Sequence, residues 1–244
     1  EIFLNSVEAI IFSIEKKKKL NDLFIEEPNS FSISSHRTEI LWALEQIAWI
    51  PQYTSRVCRI LIQLPDYDSK GNLSNKSANS LANILCSWCP QTHATLEERI
   101  LILRALCKHF PEKSWFILLS IIPKYHSVLM PNSKMRWRDR TRTEVHIKQV
   151  DISKIVNVAV ELIIQCEDLS TKKVSELIDI SANLPQRLRK KLLKHLQSII
   201  TAESDLDSLL WHKLRDFLNR HRSHPDALWA LEERELQPYQ IIFD

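Results

Sequence analysis

The chain has a single glycine, Gly71, among its 244 residues. Glycine supplies the positive φ angles and close backbone approaches that hairpin turns, phosphate-binding loops and nucleophile elbows need. A chain that almost lacks it must turn by other means, and here prolines and clusters of Ser, Asn and Asp separate segments in which apolar residues recur every three or four positions. The pattern predicts an all-α fold in which helices pack against one another, and it disfavours a catalytic domain.

Apolar periodicity places the helices, and prolines mark several breaks between them. Pro51, Pro90 and Pro111 lie at such breaks, because proline begins a helix far better than it continues one. The predicted helices cover residues 2–20, 36–50, 51–64, 77–89, 95–109, 112–122, 151–166, 170–183, 186–201, 205–221 and 225–236.

The pattern divides the chain into four segments. An N-terminal helix and connector (1–35) precedes the first half of a helical array (36–122), and an irregular loop rich in Arg and Trp (123–150) separates this from the second half (151–244). Helices of this length joined by short turns predict an irregular α-solenoid, a HEAT- or TPR-like helical repeat array.

One internal echo supports an array. The pentapeptide LWALE occurs at 41–45 and again at 228–232, and in both copies a proline follows after five further residues. A single pair defines no repeat period, so an irregular array is favoured over a regular one.

Composition narrows the class of protein. The net charge of +3 and the charged fraction of 26% suit a globular protein and lack the strongly basic balance of most nucleic-acid-binding domains. No window holds the roughly 18 uninterrupted apolar residues of a membrane span, and Glu1–Leu4 does not begin a signal peptide. Because the chain starts without Met and ends abruptly on apolar residues, we expect a segment of a longer cytoplasmic protein.

The cysteines raise the question of a metal site. Their number is odd and most lie within apolar runs, which predicts buried, reduced thiols at Cys58, Cys86, Cys89, Cys107 and Cys166. Cys86, Cys89 and His93 have C-x2-C-x3-H spacing, and thiolate and imidazole are zinc ligands. The pair falls in a predicted apolar helix, however, and no second CxxC completes a ligand set. We therefore favour structural thiols, keep these three residues as a weak metal candidate, and expect no cofactor.

The most distinctive surface candidate is the basic segment 136–142. In a contact surface its guanidinium groups would meet an anion such as a nucleic-acid phosphate while the tryptophan stacks; in a structural loop the tryptophan would pack and the arginines would pair with nearby carboxylates. We favour the structural loop, yet the segment remains the best candidate for binding. The candidate residues are Arg136, Trp137, Arg138, Arg140 and Arg142.

A second basic cluster is typical of a solvated helix end. It contains His212, Arg215, Arg220, His221, Arg222 and His224.

Motifs of catalysis do not occur. The sequence has no GxSxG, GxxxxGK[ST], HExxH or GxGxxG, and Cys58, Cys107 and Cys166 have no identifiable activating partner. Carboxylates such as Glu45 and Glu161 occupy positions typical of a charged helix surface. We expect no enzyme activity from this segment.

Residues 36–139 carry a sequence pattern that resembles part of a known family. A helix ending in WALE-x-x-AW is followed by an NSL segment, a PQT turn and a WRD end. The matching residues are Trp42, Ala43, Leu44, Glu45, Ala48, Trp49, Asn79, Ser80, Leu81, Pro90, Gln91, Thr92, Trp137, Arg138 and Asp139.

This pattern resembles large bacterial multidomain proteins of the STAND NTPase type that act in defence against phage. The resemblance implies that an N-terminal effector and a nucleotide-binding core precede a helical C-terminal sensor, and that the present segment belongs to that sensor. Any nucleotide hydrolysis would then reside elsewhere in the protein. Cys86 and Cys89 depart from the family pattern, which weakens the zinc hypothesis further.

Two functions of different classes follow from the sequence. The first is a non-catalytic scaffold or sensor that binds a protein partner or other domains of the same chain, with no membrane contact. The second is a nucleic-acid-binding helical array that uses the segment 136–142. An enzyme with a cryptic site would need a cleft with paired titratable groups of shifted pKa.

Overall fold

The computed structural model describes residues 1–11, 36–64, 76–135, 146–202 and 208–244. Within these ranges the only regular elements are helices, so the all-α prediction is confirmed. The helices are α1 (Ile2–Ile11), α2 (His36–Ala48), α3 (Pro51–Leu61), α4 (Ser77–Ile84), α5 (Leu96–His109), α6 (Pro111–Ile121), α7 (Gln149–Ile164), α8 (Thr171–Ser181), α9 (Gln186–Ala202), α10 (Ser208–Ser223) and α11 (Glu233–Phe243).

Local sequence signals explain where several helices begin. Pro51 is the first residue of α3, a position where a backbone N–H would have no partner within the helix. Thr95 caps α5: its Oγ1 accepts the Glu98 N–H at 3.2 Å, while the Thr95 N–H donates to the Glu98 carboxylate at 2.7 Å. These helix starts agree closely with those predicted from the sequence, because both signals act within one helical turn.

The predicted helix 77–89 is too long. α4 ends at Ile84, and Leu85 and Cys86 lie buried in the following non-helical segment. The returning chain explains the early end, because the Gln91 N–H donates to the Asn83 carbonyl at 3.0 Å and so provides that carbonyl with a partner outside the helix. Apolar periodicity could not distinguish this buried turn from a further turn of helix.

The predicted helix 225–236 is wrong. Residues 224–232 form turns, and α11 begins only at Glu233 and continues through Pro238. Proline inside a helix removes one backbone hydrogen bond. The helix persists because Leu236, Tyr239 and Ile242, three residues apart, share one buried face.

The two copies of LWALE therefore differ in structure. The copy at 41–45 is helical, and its Leu41 is fully buried; the copy at 228–232 is not helical, and its Leu228 is 83% exposed. The echo marks no repeated helix.

Clustering of contacts divides the chain into two units. Unit 1 comprises Glu1–Ile121 and Val128–Ile155, and unit 2 comprises Ile122–Ser127 and Val156–Asp244. In unit 1, α3 packs against α1, α2, α4 and α5, around a core that includes Leu41, Leu61, Leu81 and Leu103. An ion pair of 2.7 Å between Arg56 of α3 and Glu8 ties α1 to this core.

Unit 2 is built around Tyr239 of α11. Its hydroxyl lies 2.6 Å from the hydroxyl of Ser181, and its ring stacks on Phe217 of α10 with centroids 4.6 Å apart. Burial raises the pKa of Tyr239 to about 12, so the phenol remains a neutral hydrogen-bonding group.

His221 belongs to the same core. It was predicted to lie at a solvated helix end, but its side chain is buried, and its Nδ1 accepts the Leu231 N–H at 3.0 Å. The sequence prediction for this residue is wrong because chain returning from 224–232 covers that face of α10.

None of the described residues, which do not include Gly71, has a positive φ angle. No described helix combines the length and the apolar composition that crossing a bilayer requires.

Candidate interaction surface

Residues Val128–Met135 of unit 1, which we call the strap, form neither helix nor strand. The backbone groups of such a segment need partners that a helix would otherwise supply. Side chains of α2 and α4 provide several of these partners, so the strap is held against both helices. The strap ends immediately before Arg136.

Glu45 of α2 is the central anchor of the strap. Its Oε1 accepts the Ser80 hydroxyl of α4 at 2.5 Å, and its Oε2 accepts the Ser133 backbone N–H of the strap at 2.7 Å. The residue is only 5% exposed. Hydrogen bonds to a carboxylate are stronger than those between neutral groups, and a buried carboxylate depends on them. Glu45 therefore joins α2, α4 and the strap, and the prediction that it is an exposed surface charge is wrong.

Two asparagines attach the strap to α4. The Asn83 amide donates to the Met130 carbonyl and to the Asn132 side-chain oxygen, both at 2.9 Å. The Asn132 amide in turn donates to the Ser80 carbonyl at 3.1 Å. This last bond is buried, which makes the strap part of the packed structure of unit 1.

Gln46 of α2 and Trp49, which directly follows this helix, complete the attachment. The Gln46 amide donates to the Ser133 hydroxyl at 3.0 Å, and the Trp49 indole N–H donates to the Ser133 carbonyl at 3.2 Å. The Lys134 ammonium lies 4.6 Å from the Trp49 ring centroid, within the range of a cation–π contact. Ser133 thus uses its N–H and its hydroxyl in contacts with α2, and its carbonyl in a contact with the residue that follows this helix.

The strap presents apolar side chains outward although its backbone is anchored. Val128 is 87% exposed and Met130 is 67% exposed. Trp42, one turn before Gln46 on α2, is 50% exposed. A fixed backbone that exposes apolar side chains is suited to contact with another macromolecule.

The residues quoted for the family resemblance contribute to this arrangement. Thr92 of the PQT turn donates to the Ala48 carbonyl at the end of α2 at 2.7 Å, and its oxygen accepts the Ala94 N–H at 3.1 Å. Glu45, Trp49 and Ser80 hold the strap directly. The pattern therefore carries structural contacts of unit 1.

The segment predicted to bind lies outside the described residues. This holds for Arg136, Trp137, Arg138, Arg140 and Arg142. The structure describes the strap that leads to them.

The three metal candidates are not assembled as a ligand set. Cys86 and Cys89 lie in the segment after α4, and His93 packs against the Trp49 ring with centroids 5.1 Å apart. Across the described ranges, no group of three His, Cys, Asp or Glu residues is placed to hold a metal ion. Burial raises the pKa of the Cys86 thiol, which disfavours the thiolate that a metal needs.

None of the five cysteines forms a disulfide. Cys58 and Cys86 are buried as predicted, whereas Cys89, Cys107 and Cys166 are half-buried.

Arg99 of α5 is a buried cation that the sequence analysis missed. It is fully buried, and its Nη1 donates to the Cys86 carbonyl at 3.0 Å. Its Nε and Nη2 have no hydrogen-bond partner among the residues described. Burial lowers the pKa of this guanidinium. In the sequence it stands beside Glu97 and Glu98, so nothing marked it as different from an ordinary surface charge.

Comparisons with models of protein families, with curated proteins and with solved structures find no match to this chain.

Proposed function

We propose that this chain is a non-catalytic helical scaffold or sensor region that binds a protein partner through the strap and Trp42. The observation that carries the proposal is the contrast between backbone and side chains of the strap. Glu45, Asn83 and Trp49 hold its backbone, while Val128 and Met130 point apolar groups into solvent. A surface organised before binding loses less conformational entropy on association, and apolar side chains supply the contact area.

We further propose that the helices form an irregular α-solenoid of the HEAT or TPR kind. The support is the order of packing within each unit. In unit 1, α2 packs on α3 and α4, and α5 packs on α6; in unit 2, α8 packs on α9 and α10, and α10 packs on α11. Packing between helices that are near in sequence is characteristic of helical arrays.

The biological setting in the proposal follows from the family resemblance. It is a sensor region of a larger bacterial, cytoplasmic protein of the anti-phage defence class. The complete reading frame tests this setting: an upstream GxxxxGK[ST] on a strand-to-helix turn would support it, and a complete frame without any nucleotide-binding motif would contradict it.

Substitutions in the strap test the binding surface. The tagged chain is used to recover partners from a bacterial lysate, and the recovered protein is compared among three baits. We expect the double variant Val128→Ser/Met130→Ser to lose a partner that the wild type retains. Leu101→Ser is the matched control, since Leu101 is also 67% exposed but lies on α5. Equal recovery by all three baits, or loss with the control alone, would contradict the proposal.

The alternative function is nucleic-acid binding through the segment 136–142. It is tested by measuring binding to DNA and RNA over a salt series, because phosphate contacts weaken steeply as salt rises. Absence of binding at low salt would eliminate this alternative and leave protein binding.

A further inference from the structure

Unit 2 contains a cavity of about 220 Å³ between the first turns of α9 and α11. Arg189, Lys190 and Leu193 of α9 form one side, and Arg234, Glu235 and Pro238 of α11 form the other. This volume is below the roughly 300–1,000 Å³ of pockets for drug-sized ligands. A ligand of the cavity is therefore small, about the size of a single ring or a short chain.

The charged side chains of the cavity have an excess of positive charge. Three cations line it, and Glu235 is the single acidic residue of the lining. Glu235 is already engaged, since its Oε1 accepts from Arg189 Nη2 at 2.6 Å. Arg234 contacts Glu232 at 2.8 Å, but both side chains are largely exposed, so that pair neutralises the cavity only weakly.

One nitrogen of the Arg189 guanidinium lacks a hydrogen-bond acceptor. The residue is 6% exposed, and its Nη1 is buried without a hydrogen-bond partner in the described part of the chain. A guanidinium has five N–H donors in a plane and forms paired bonds to a carboxylate. Arg189 lines the cavity, so an anion there would provide its guanidinium with an acceptor in addition to Glu235.

The N-terminus of α9 reinforces the positive potential. α9 begins at Gln186 and has no acidic residue in its first turn, whereas the first turn of α11 carries Glu233 and Glu235, so the contribution comes from α9 alone. The N-terminus of a helix carries a partial positive charge that favours anions. This effect adds to the charge of the three side chains.

Apolar groups form the remaining wall. Leu193 is 3% exposed, Pro238 has no polar side-chain atom, and the methylene stems of Lys190 and Arg234 add further apolar surface. An inorganic anion would leave this surface without a partner. The cavity thus suits a molecule with an acidic end and an apolar body.

We propose that this cavity binds a small carboxylate attached to an apolar body. The carboxylate interacts with Arg189, Lys190 and Arg234, and the body packs on Leu193 and Pro238. A free aromatic or aliphatic acid and the C-terminal residue of a peptide share this chemistry. The proposal is independent of the strap, which belongs to unit 1.

The test is a titration of the whole chain with benzoate at low salt, followed by amide chemical shifts. Benzamide is the neutral ligand of the same shape, and inorganic phosphate is the anion without an apolar body. We expect saturable binding of benzoate and at least about tenfold weaker binding of both comparison ligands. N-acetyl-leucine represents the peptide C-terminus: tighter binding than benzoate assigns a peptide source, and weaker binding assigns a free acid.

Variants identify the cavity as the place of binding. Lys190→Gln with Arg234→Gln is expected to weaken benzoate binding about tenfold. Lys191→Gln with Lys194→Gln removes two exposed cations of α9 that do not line the cavity, and is expected to change the affinity by less than about twofold.

A third variant removes the buried pair without leaving a lone charge. Arg189→Gln alone would strand Glu235, so Arg189→Gln with Glu235→Gln is used, and benzoate binding is expected to be lost. Absence of saturation by benzoate, equal binding of benzamide or phosphate, or an equal loss in the Lys191/Lys194 control would overturn the proposal.

Discussion

The buried imidazole of His221 makes the stability of unit 2 depend on pH. Its Nδ1 accepts the Leu231 N–H, so this nitrogen must be unprotonated in the folded chain. The centroids of the Phe217 and Trp229 rings lie 4.5 Å and 5.3 Å from the centroid of the His221 ring. Burial is the main cause that lowers the pKa of His221 to about 4, and the cations Arg220 and Arg189 lower it further.

The sign of the effect follows from the two pKa values. The folded value, about 4, lies below the ordinary value of 6.5, so the stability contributed by neutral His221 is fully present above pH 6.5 and is lost as the pH falls through about 4. The full separation corresponds to about 3 kcal/mol. Between pH 7 and pH 5 the free energy of unfolding should fall by about 2 kcal/mol through this residue alone.

Urea unfolding followed by tryptophan fluorescence at pH 7 and pH 5 measures this loss. His221→Asn is the diagnostic variant, because the asparagine oxygen preserves an acceptor for the Leu231 N–H but cannot be protonated. We expect the variant to be less stable at pH 7, since ring packing is lost, and to show a pH dependence weaker by about 2 kcal/mol. His212→Gln is the control, since His212 lies exposed on the same helix.

Two results would refute the reasoning. One is an NMR titration in which the ring protons of His221 report a pKa near 6.5. The other is an equal change in unfolding free energy between pH 7 and pH 5 for the wild type and His221→Asn. In either case Nδ1 would not be held as the acceptor that the structure shows.

Three further substitutions test other contacts. Glu45→Gln should lower the free energy of unfolding by about 1–3 kcal/mol in urea, because an amide group would oppose one of the two donors that face the carboxylate. Arg99→Met should raise the free energy of unfolding by about 1–3 kcal/mol, because it removes a buried charge with unpaired nitrogens, whereas Arg99→Lys keeps the charge and should not raise it. A lower free energy of unfolding for Arg99→Met would show that the hydrogen bond to the Cys86 carbonyl outweighs the cost of desolvating the charge. Tyr239→Phe should lower thermal stability by about 1 kcal/mol through loss of the Ser181 contact, while Tyr125→Phe, at an exposed residue, should leave it unchanged.

Sequence reasoning succeeded where the signal acts within a few residues. The Thr95–Glu98 pair and Pro51 determine where their helices begin, and both can be recognised in the sequence without knowledge of distant contacts. Apolar spacing likewise sufficed to predict an all-α chain. Each of these signals is a property of one or two helical turns.

Prediction from sequence failed where contacts between distant residues determine the local structure. The two LWALE copies have the same local preference, yet one is helical and the other is not, because their surroundings differ. Nothing near Glu45 in the sequence indicates that it is buried, because its strap partner, Ser133, is 88 positions away. α4 ends early because the Gln91 N–H donates a hydrogen bond to the Asn83 carbonyl, and apolar periodicity does not encode this contact.

The absence of positive φ angles in the parts of the chain that the structure describes has a consequence for its relatives. A turn that needs left-handed backbone keeps its glycine through divergence, because other residues are disfavoured there. The described junctions of this chain accept any residue that fits a right-handed or extended backbone. Relatives therefore have no turn glycine to preserve at these junctions, and similarity to them should survive in buried positions such as Leu41, Glu45 and Tyr239.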